Sequence, residues 1–428
     1  MSARMIWFKR MGLAGVALLL LCAIFAAGYG AGFFEFRSMM TTAYRDIGRI
    51  VAPGGIDAGQ YVQLGKARQW IQIRGQDRHA PVLLFLHGGP GGAVTQTAYF
   101  FERPWEDDFV VVQWDQRGAG RSGIDGEALR GTLNKEQLTS DTIELLTYLN
   151  RRFGRKVVVV GQSWGTVLGI EVAKRRPDLI QAYVGMGQMT AWEPTFEESR
   201  RLLMLQARRT EDRALLEKLA AVADKVPPES AVAAREHWRT TVEDEIYRRG
   251  YSWHNFQGPG TSWSSRTLAI RAASPEVSNR ELVDRLLGRT RPLPPDIERE
   301  TEQSVSGWSV EQDVGTRFEI PIFIVTGHYD WQVPLTLARG LYDKICAPYK
   351  MWVEFPNSAH ALLREEPGRL SRFLGETVLP AALGRMPDKA ERCSGQPGDP
   401  TRAGRAESAA IGMGRKTDRI ASSGRGEG

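Results

Sequence analysis

One stretch of the sequence, residues 157–174, constrains the fold more than any other. It begins with four consecutive valines, Val157–Val160, which are typical of a β-strand buried on both faces. The letters GQSWG follow at Gly161–Gly165, and a helical apolar pattern covers Thr166–Lys174. A sharp turn from strand to helix needs small residues where the two elements approach, and the two glycines meet that need. The stretch therefore predicts a strand, a tight turn with Ser163 at its tip, and a helix.

Short apolar runs alternate with helical patterns on both sides of this unit. Tyr61–Leu64 and Gln69–Arg74 predict an opening hairpin. The later runs have the composition of buried strands and lie at Pro81–Leu86, Phe109–Trp114, Lys156–Val160, Ala182–Val184, Pro321–Val325 and Met351–Phe355. Strands that alternate with helices predict an α/β fold with a mostly parallel sheet and helices on both faces.

The alternation stops between about Thr190 and Phe318, where the pattern is helical and rich in tryptophan. An insertion of this size between two core strands predicts a helical cap over the sheet. The expected divisions are an N-terminal segment at 1–36, core parts at 50–189 and 319–385, the cap at 190–318 and a tail at 386–428.

Ser163 is the candidate nucleophile, and a serine hydroxyl needs a base to take its proton near neutral pH. Asp330 follows the apolar run Pro321–Val325, and His360 follows the next run, Met351–Phe355. The carboxyl ends of parallel strands meet at one edge of a sheet. We therefore predict a catalytic triad in which His360 is the base for Ser163 and Asp330 orients His360. His328 precedes the acid, and we interpret it as structural.

A glycine-rich run, His87–Gly92, follows the first buried strand. Without side chains in the way, its backbone N–H groups can point into a site. We predict an oxyanion hole formed by the N–H of Gly89, with Gly88 as the alternative, together with that of Trp164; one such donor is worth about 3 kcal/mol. A phosphate-binding loop is the competing interpretation, but the sequence has neither G-x-x-x-x-G-K-[ST] nor the dinucleotide fingerprint.

Together these motifs resemble those of the proline iminopeptidase group of α/β-hydrolases. The matching runs lie, over roughly residues 57–375, at His87–Gly92, Asp115–Ser122, Gly161–Gly165, Gly327–Asp330 and Ser358–His360. The resemblance implies an α/β-hydrolase core, a helical cap after the sixth strand, and release of N-terminal residues, notably proline, from peptides. Asp115 and Arg117 match a family loop that we interpret as structural.

The cap departs from the family pattern. Family aminopeptidases hold the α-ammonium group of the substrate with cap glutamates, and the usual sequence around the first of these does not occur here. Glu193 and Glu197, at the start of the cap, are the candidate substrate-binding residues. A carboxylesterase or lactonase acting on small esters is the alternative. A non-catalytic small-molecule receptor is a third interpretation, against which the complete triad argues.

The N-terminal segment has positive charges before the uncharged run Met11–Phe34. At about 1.5 Å per residue, a helix of this length crosses a hydrocarbon core of roughly 30 Å. We predict a membrane anchor with the catalytic domain outside the cytoplasm. A cleaved signal peptide is the alternative, because small residues at Ala26–Gly28 offer a cleavage site.

The composition of the C-terminal segment bears on whether it is ordered. From about Met386 the chain is rich in Gly, Arg, Ser, Asp and Pro, which predicts a disordered tail.

Cys22 lies in the apolar run, so Cys346 and Cys393 are the only possible intrachain pair of the remainder, and the sequence leaves their pairing open. The net charge of +6 comes from basic residues mixed with acidic ones, which does not predict nucleic-acid binding. No H-E-x-x-H or paired C-x-x-C motif is present, and we predict neither a metal nor a cofactor.

Overall fold

The central element of the fold is a mostly parallel β-sheet. The computed structural model describes residues 28, 30–123, 126–253, 263–289, 295–385, 391 and 393. The sheet in this part of the chain has eight strands in the order β1-β2-β4-β3-β5-β6-β7-β8. Their bounds are β1 Ile56–Leu64, β2 Ala67–Gly75, β3 Val82–Leu86, β4 Val110–Trp114, β5 Val157–Gln162, β6 Ile180–Met186, β7 Ile322–Gly327 and β8 Lys350–Phe355.

The pairing confirms the predicted α/β class. β1 pairs with β2 and β2 with β4 in antiparallel fashion, and all the other pairs are parallel. β3, β4 and the four valines of β5 are fully buried, as expected for strands covered on both faces. β1 instead alternates exposed and less exposed residues over most of its length, since it lies at the edge of the sheet.

Helices lie between most of the parallel strands along the chain. In chain order they are α1 at residues 30–47, α2 Gly126–Leu129, α3 Lys135–Phe153, α4 Trp164–Arg175, α5 Trp192–Arg209, α6 Arg213–Ala220, α7 Val232–Arg248, α8 Trp263–Ala273, α9 Asn279–Leu286, α10 Pro295–Gln303, α11 Leu335–Lys344, α12 Leu362–Glu365, α13 Pro367–Phe373 and α14 Leu379–Ala382. The bounds of α3 have a local cause. The side chain of Asn134 accepts a hydrogen bond from the N–H of Gln137 at its start, and Gly154 ends it in the left-handed conformation.

An insertion rich in helices leaves the sheet after β6 and returns before β7. Its two ends are joined: the N–H of Trp192 donates to the carbonyl of Trp308 (3.0 Å), and that of Val310 to the carbonyl of Thr190 (2.8 Å). α5, α6 and α7 enclose a small apolar core of their own around residues such as Leu203, Leu219 and Trp238. These three helices therefore have a core of their own, whereas residues such as Trp192, Ile297 and Trp308 belong to the core of the sheet.

Part of the predicted cap belongs to a different compact unit. Of the described residues, 264–289 group with 28, 30–49 and 96–100, and the others form the second unit. Within the smaller unit, the guanidinium of Arg37 donates to the Asn279 side chain and to the Val277 carbonyl. The hydroxyl of Tyr99 donates to the carbonyl of Ile270 (2.6 Å). The single cap predicted for 190–318 is thus divided between two units.

The C-terminal segment is partly fixed, so the predicted disordered tail is wrong at two positions. Cys346 and Cys393 form a disulfide with a Cα–Cα distance of 5.1 Å. The N–H and carbonyl of Glu391 exchange backbone hydrogen bonds of 2.8 Å with Lys350 in β8. A covalent link and a pair of ladder bonds order these residues, although their composition alone does not. The other residues of the predicted tail, 386–390, 392 and 394–428, lie outside the described residues.

Most of the predicted membrane anchor also lies outside the described residues. Of the run Met11–Phe34, the structure describes only residue 28 and residues 30–34, which open α1. The helices that are described include none that is both long enough and apolar enough to span a membrane.

Candidate active site

Ser163 lies on a strained turn between β5 and α4. Its backbone has φ +52° and ψ −119°, a conformation that costs a non-glycine residue about 1–3 kcal/mol and persists only where its surroundings hold it. Its N–H donates to the carbonyl of Met186 (3.0 Å), and its own carbonyl accepts from the N–H of Thr166 (2.8 Å). A Cβ at Gly165 would lie 2.0 Å from the carbonyl oxygen of Leu86, so only glycine fits there. The turn predicted from the sequence is present.

Asp330 and His360, the predicted acid and base, are in direct contact. Oδ2 of Asp330 lies 2.8 Å from Nδ1 of His360. The other carboxylate oxygen, Oδ1, accepts the backbone N–H groups of Gln332 (3.0 Å) and Val333 (2.8 Å). Asp330 is fully buried, and its oxygens are thus held on both sides. This arrangement fixes which ring nitrogen of His360 faces the carboxylate.

Backbone contacts hold the His360 loop next to the Ser163 turn. The side chain of Gln162, the residue before Ser163, donates to the carbonyl of His360 (3.4 Å). The N–H groups of His360 and Ala361 both donate to the carbonyl of Ser252 (3.1 and 3.2 Å), which belongs to the insertion. The His360 loop is therefore tied both to the Ser163 turn and to the insertion.

Gly187 is a site residue that the sequence analysis missed. It follows β6 directly, with φ +57°, and its N–H donates to the carbonyl of Val325 (2.9 Å). A Cβ at this position would lie 3.0 Å from Cε1 of His360 and 3.3 Å from Oδ2 of Asp330. Any side chain would therefore press on the acid–base pair. The available signal was a glycine at the carboxyl end of the strand that neighbours β5.

Gly89 and Trp164, the predicted oxyanion donors, line the same cavity as Ser163. The loop of Gly88 and Gly89 passes close to the nucleophile, because a Cβ at Gly88 would lie 3.2 Å from Cβ of Ser163. Trp164 is the first residue of α4, and the first N–H groups of a helix lack intrahelical partners and carry partial positive charge. Both backbone segments are thus next to the site where a negative oxygen would form.

Buried His87 fixes the start of this loop. Its Nδ1 lies 2.8 Å from the carbonyl oxygen of Gly88, and its Nε2 accepts the N–H of Gln116 (3.2 Å). The side chain of Gln116 donates in turn to the carbonyl of His87 (3.0 Å). Burial lowers the pKa of His87 to about 4, although the bond to Gly88 opposes that shift, so the ring is neutral at pH 7.

The residues that we interpreted as structural have structural partners. Arg117 forms a bidentate pair with Asp141 (2.9 and 3.0 Å), and both are buried. Asp115 accepts the N–H of Arg121 (2.8 Å). The half-exposed ring of His328 contacts Glu354, with 2.6 Å between Nδ1 and Oε1. These contacts agree with the roles inferred from the sequence.

The cavity at Ser163 has a volume of about 320 Å³ and is lined by two chemically different groups of side chains. Its apolar wall is formed by Leu133, Met189, Trp192, Phe196 and Val333. The second group, which we call the charged end, consists of three residues of the insertion that ion pairs hold together, namely Arg239, Glu243 and Glu302. Such a cavity is at the small end of the range of about 300–1,000 Å³ typical of ligand pockets.

The charged end is a network around one guanidinium. Nη1 of Arg239 lies 3.1 Å from a carboxylate oxygen of Glu243, Nη2 lies 3.0 Å from Glu236, and Nε lies 3.7 Å from Glu302. Burial raises the pKa of Glu243, and the charges of Glu302 and Glu236 add to that rise, whereas Arg239 opposes it. Burial also raises the pKa of Tyr247, in the same cavity wall, to about 12. Arg239, Glu243 and Tyr247 recur every four residues and therefore share one face of α7.

The structure does not bring Glu193 or Glu197 to the cavity. Glu193 accepts hydrogen bonds from Arg235 (2.9 Å), Ser306 (2.9 Å) and the N–H of Gly307 (3.0 Å). Glu197 accepts the N–H of Val226 (3.3 Å). Neither is among the described residues that line the cavity at Ser163. These glutamates join α5 to other parts of the insertion, because the face of α5 that carries them points toward those segments. The carboxylates that do line the cavity are Glu243 and Glu302, which the sequence analysis missed.

The fold and the arrangement around Ser163 are those of an α/β-hydrolase. A family model described as the alpha/beta hydrolase fold matches residues 81–367, and the chain belongs to this family. It is a hydrolase enzyme. Across the described ranges, no group of three or more His, Cys, Asp or Glu side chains is placed to hold a metal ion.

The chain is also similar to individual proteins of known sequence or structure. The chain is 27% identical over 317 residues to the protein of Bacillus subtilis (strain 168) named "Probable aminopeptidase YbaC", covering 73% of this chain and 93% of that protein. It is 26% identical over 275 residues to a proline iminopeptidase of Xylella fastidiosa (strain 9a5c), covering 62% and 79%. The crystal structure of the Mycobacterium smegmatis proline iminopeptidase has a TM-score of 0.50 at 21% identity, covering 76% of this chain and 99% of that one, and shows the shared fold.

Proposed function

We propose that this hydrolase is a serine aminopeptidase that releases N-terminal residues, including proline, from small peptides through an acyl-enzyme. The observation that carries the proposal is the position of Glu243 and Glu302 at the charged end of the cavity that contains Ser163. A substrate whose acyl carbon reaches Ser163 would extend its α-amino group toward those carboxylates. The names of the aminopeptidase and iminopeptidase relatives support the same class.

In the proposed reaction, His360 takes up a proton and gives one away in each of two half-reactions. Oγ of Ser163 attacks the carbonyl carbon while His360 takes the hydroxyl proton, and Asp330 stabilises the charged ring. The N–H groups of Gly89 and Trp164 stabilise the oxyanion. His360 then gives the proton to the leaving amine, the C–N bond breaks, and the acyl group remains on Ser163. Water, deprotonated by His360, attacks this ester. The bond between the acyl carbon and Oγ breaks, His360 returns the proton to Oγ of Ser163, and the free amino acid is released.

Specificity for a free amino terminus follows from electrostatics. An ammonium group in a partly dry cavity is costly unless an opposite charge is close. Of the charged side chains that line this cavity, two are acidic, Glu243 and Glu302, and one is basic, Arg239. We propose that they bind the ammonium group, in place of the predicted Glu193 and Glu197.

The test compares prolyl and alanyl arylamides with their N-acetylated forms. We expect the free amines to be cleaved and the acetylated ones to resist cleavage. Glu243→Gln and Glu302→Gln are each expected to lower kcat/KM by about tenfold or more, which corresponds to about 1.4 kcal/mol. Glu197→Gln is the matched control and should leave kcat/KM unchanged, whereas a large loss there would restore the assignment made from the sequence.

A carboxylesterase or lactonase is the second candidate. The observation in its favour is that Arg239 already lies 3.1 Å from Glu243, so a neutral ester would meet a carboxylate that is partly compensated. Esters cleaved equally well with and without a free amine, and insensitive to Glu243→Gln and Glu302→Gln, would select this function over the aminopeptidase.

We also propose that the enzyme acts outside the cytoplasm and is held at a membrane by Met11–Phe34. The disulfide between Cys346 and Cys393 supports the first part, because disulfides persist mainly in oxidising compartments. The apolar character of the run supports the second.

A further inference from the structure

A second cavity lies beside the charged end of the first. It has a volume of about 480 Å³ and is formed by the start of α7 and by α10. Its lining includes Val232, Arg235, Glu236, Arg299 and Gln303. Val232 is 46% exposed, so this cavity is open at the surface of the insertion. It is larger than the cavity at Ser163 and contains none of the triad residues.

Two residues line both cavities, namely Arg239 and Glu302. Their side chains form an ion pair with 3.7 Å between Nε and a carboxylate oxygen. The guanidinium is also held by Glu236 (3.0 Å) and Glu243 (3.1 Å), of which Glu236 lines the second cavity and Glu243 the first. Charge-assisted hydrogen bonds to carboxylates of both cavities therefore hold the Arg239 side chain at the boundary between the cavities.

We propose that Arg239, paired with Glu302, is the wall that restricts cleavage to a single residue on the amino side of the scissile bond. This inference rests on the proposed aminopeptidase function. A substrate whose ammonium group lies against Glu243 and Glu302 ends at Arg239. A peptide with one more residue at its amino end would have to pass through the position of the guanidinium into the second cavity. The wall thus excludes extended peptides by its volume, while the carboxylates select the free amine by charge.

Removing the wall is expected to join the cavities. In Arg239→Ala the space of the guanidinium becomes available, and a dipeptidyl substrate gains a path into the second cavity. Arg239→Lys retains a long cation beside the same carboxylates and is expected to keep the restriction. Arg248 lies on the same helix, is more than half exposed and is outside both described linings, so Arg248→Ala is the matched control.

The experiment measures kcat/KM for prolyl arylamide and glycyl-prolyl arylamide with each variant. Mass spectrometry identifies whether the intact dipeptide is released, a readout that a loss of packing alone would not produce. We expect the wild type, Arg239→Lys and Arg248→Ala to prefer the prolyl substrate. In Arg239→Ala the ratio of glycyl-prolyl to prolyl cleavage should rise at least tenfold, with glycyl-proline as the product. Arg239→Leu, which retains most of the aliphatic packing, provides the same comparison if the alanine variant does not fold.

The outcomes separate the two proposals. A wild-type enzyme that cleaves neither substrate contradicts the aminopeptidase function itself. A wild type that cleaves the prolyl substrate, with folded Arg239→Ala or Arg239→Leu of unchanged selectivity, overturns the wall and leaves the aminopeptidase intact. A wild type that cleaves both substrates equally well also overturns the wall.

Discussion

The three residues of the proposed triad are held by different kinds of contact. Asp330 is fixed through both carboxylate oxygens, and His360 is fixed through its ring and its backbone. Ser163 is fixed by its backbone, whose positive φ the close strand–helix packing enforces. Each contact restricts one group, but a proton moves only when all three are aligned. The energetic effects of substitutions are therefore expected to be coupled.

Substitutions in the triad test this coupling. Asp330→Asn and His360→Ala are each expected to lower kcat by roughly 10⁴-fold, because either change removes the base in its correct orientation. The double variant should lose little more than either single variant, since the residues act as a unit. Steady-state kinetics on the arylamide that the wild type cleaves best provides the measurement. Losses that multiply in the double variant would show that the two residues act independently.

A second prediction at this scale concerns acid stability. The pKa of buried His87 is about 4 in the folded protein, against an ordinary value of 6.5, so the unfolded chain binds more protons between these pH values. Stability contributed by this residue is therefore lost as the pH falls from 6.5 to 4, by about 3 kcal/mol in total. Burial raises the pKa of Glu102 to about 8, and Glu102 therefore opposes this trend above pH 4.5.

The test therefore compares the free energy of unfolding of the wild type with that of a His87 variant. Denaturant unfolding of wild type and His87→Gln across pH 4 to 7 should show a gap in the free energy of unfolding that changes with pH. The wild type should lose stability relative to the variant as the pH falls. His79→Gln, at an exposed position, is the control and should follow the wild type. A gap that is constant over this range would contradict the neutral buried state of His87.

At the scale of elements, local motifs were predictable and packing between helices was not. The Ser163 turn, the strand-end positions of Asp330 and His360, and the Gly89 loop each depend on a short run beside a buried strand. The carboxylates in the cavity depend instead on how α7 and α10 are placed over the sheet. No local sequence signal specifies that placement. The position of Glu193 and Glu197 at the start of the cap therefore does not predict that they bind substrate.

Composition also does not predict that residues 391 and 393 of the C-terminal segment are ordered. Its order comes from Cys393, whose partner Cys346 lies 47 residues earlier, and from the pairing of Glu391 with β8. Closing a loop of this length removes entropy from the unfolded chain and is worth about 2–4 kcal/mol. We expect Cys393→Ala to lower the thermal midpoint by several degrees.

Reduction of the Cys346–Cys393 disulfide is the control for Cys393→Ala. Dithiothreitol should lower the midpoint of the wild type toward that of Cys393→Ala and leave the variant almost unchanged. Calorimetry at matched protein concentration gives both values. A variant that melts at the wild-type temperature would show that the disulfide does not stabilise the folded domain.

At the scale of the whole molecule, the proposed anchor concerns the N-terminal run Met11–Phe34. Carbonate-washed membranes from cells that make the full chain are expected to retain the protein, because a long apolar helix resists extraction. Deletion of residues 2–27 removes most of the run and should release the protein into the wash. Release of the full chain would contradict the anchor, and N-terminal sequencing of the mature protein would distinguish it from a cleaved signal peptide.

The joined ends of the insertion have a consequence for how such a chain can evolve. Thr190 and Val310 are hydrogen-bonded neighbours, so the insertion leaves the core and returns to it at adjacent positions. Segments of different length and sequence can begin and end there without altering the distance that the core must bridge. Recombination at this junction would exchange one substrate preference for another while the sheet and the Ser163 turn stay in place. A chimaera that replaces residues 191–309 with the corresponding segment of another hydrolase is expected to inherit the donor's selectivity.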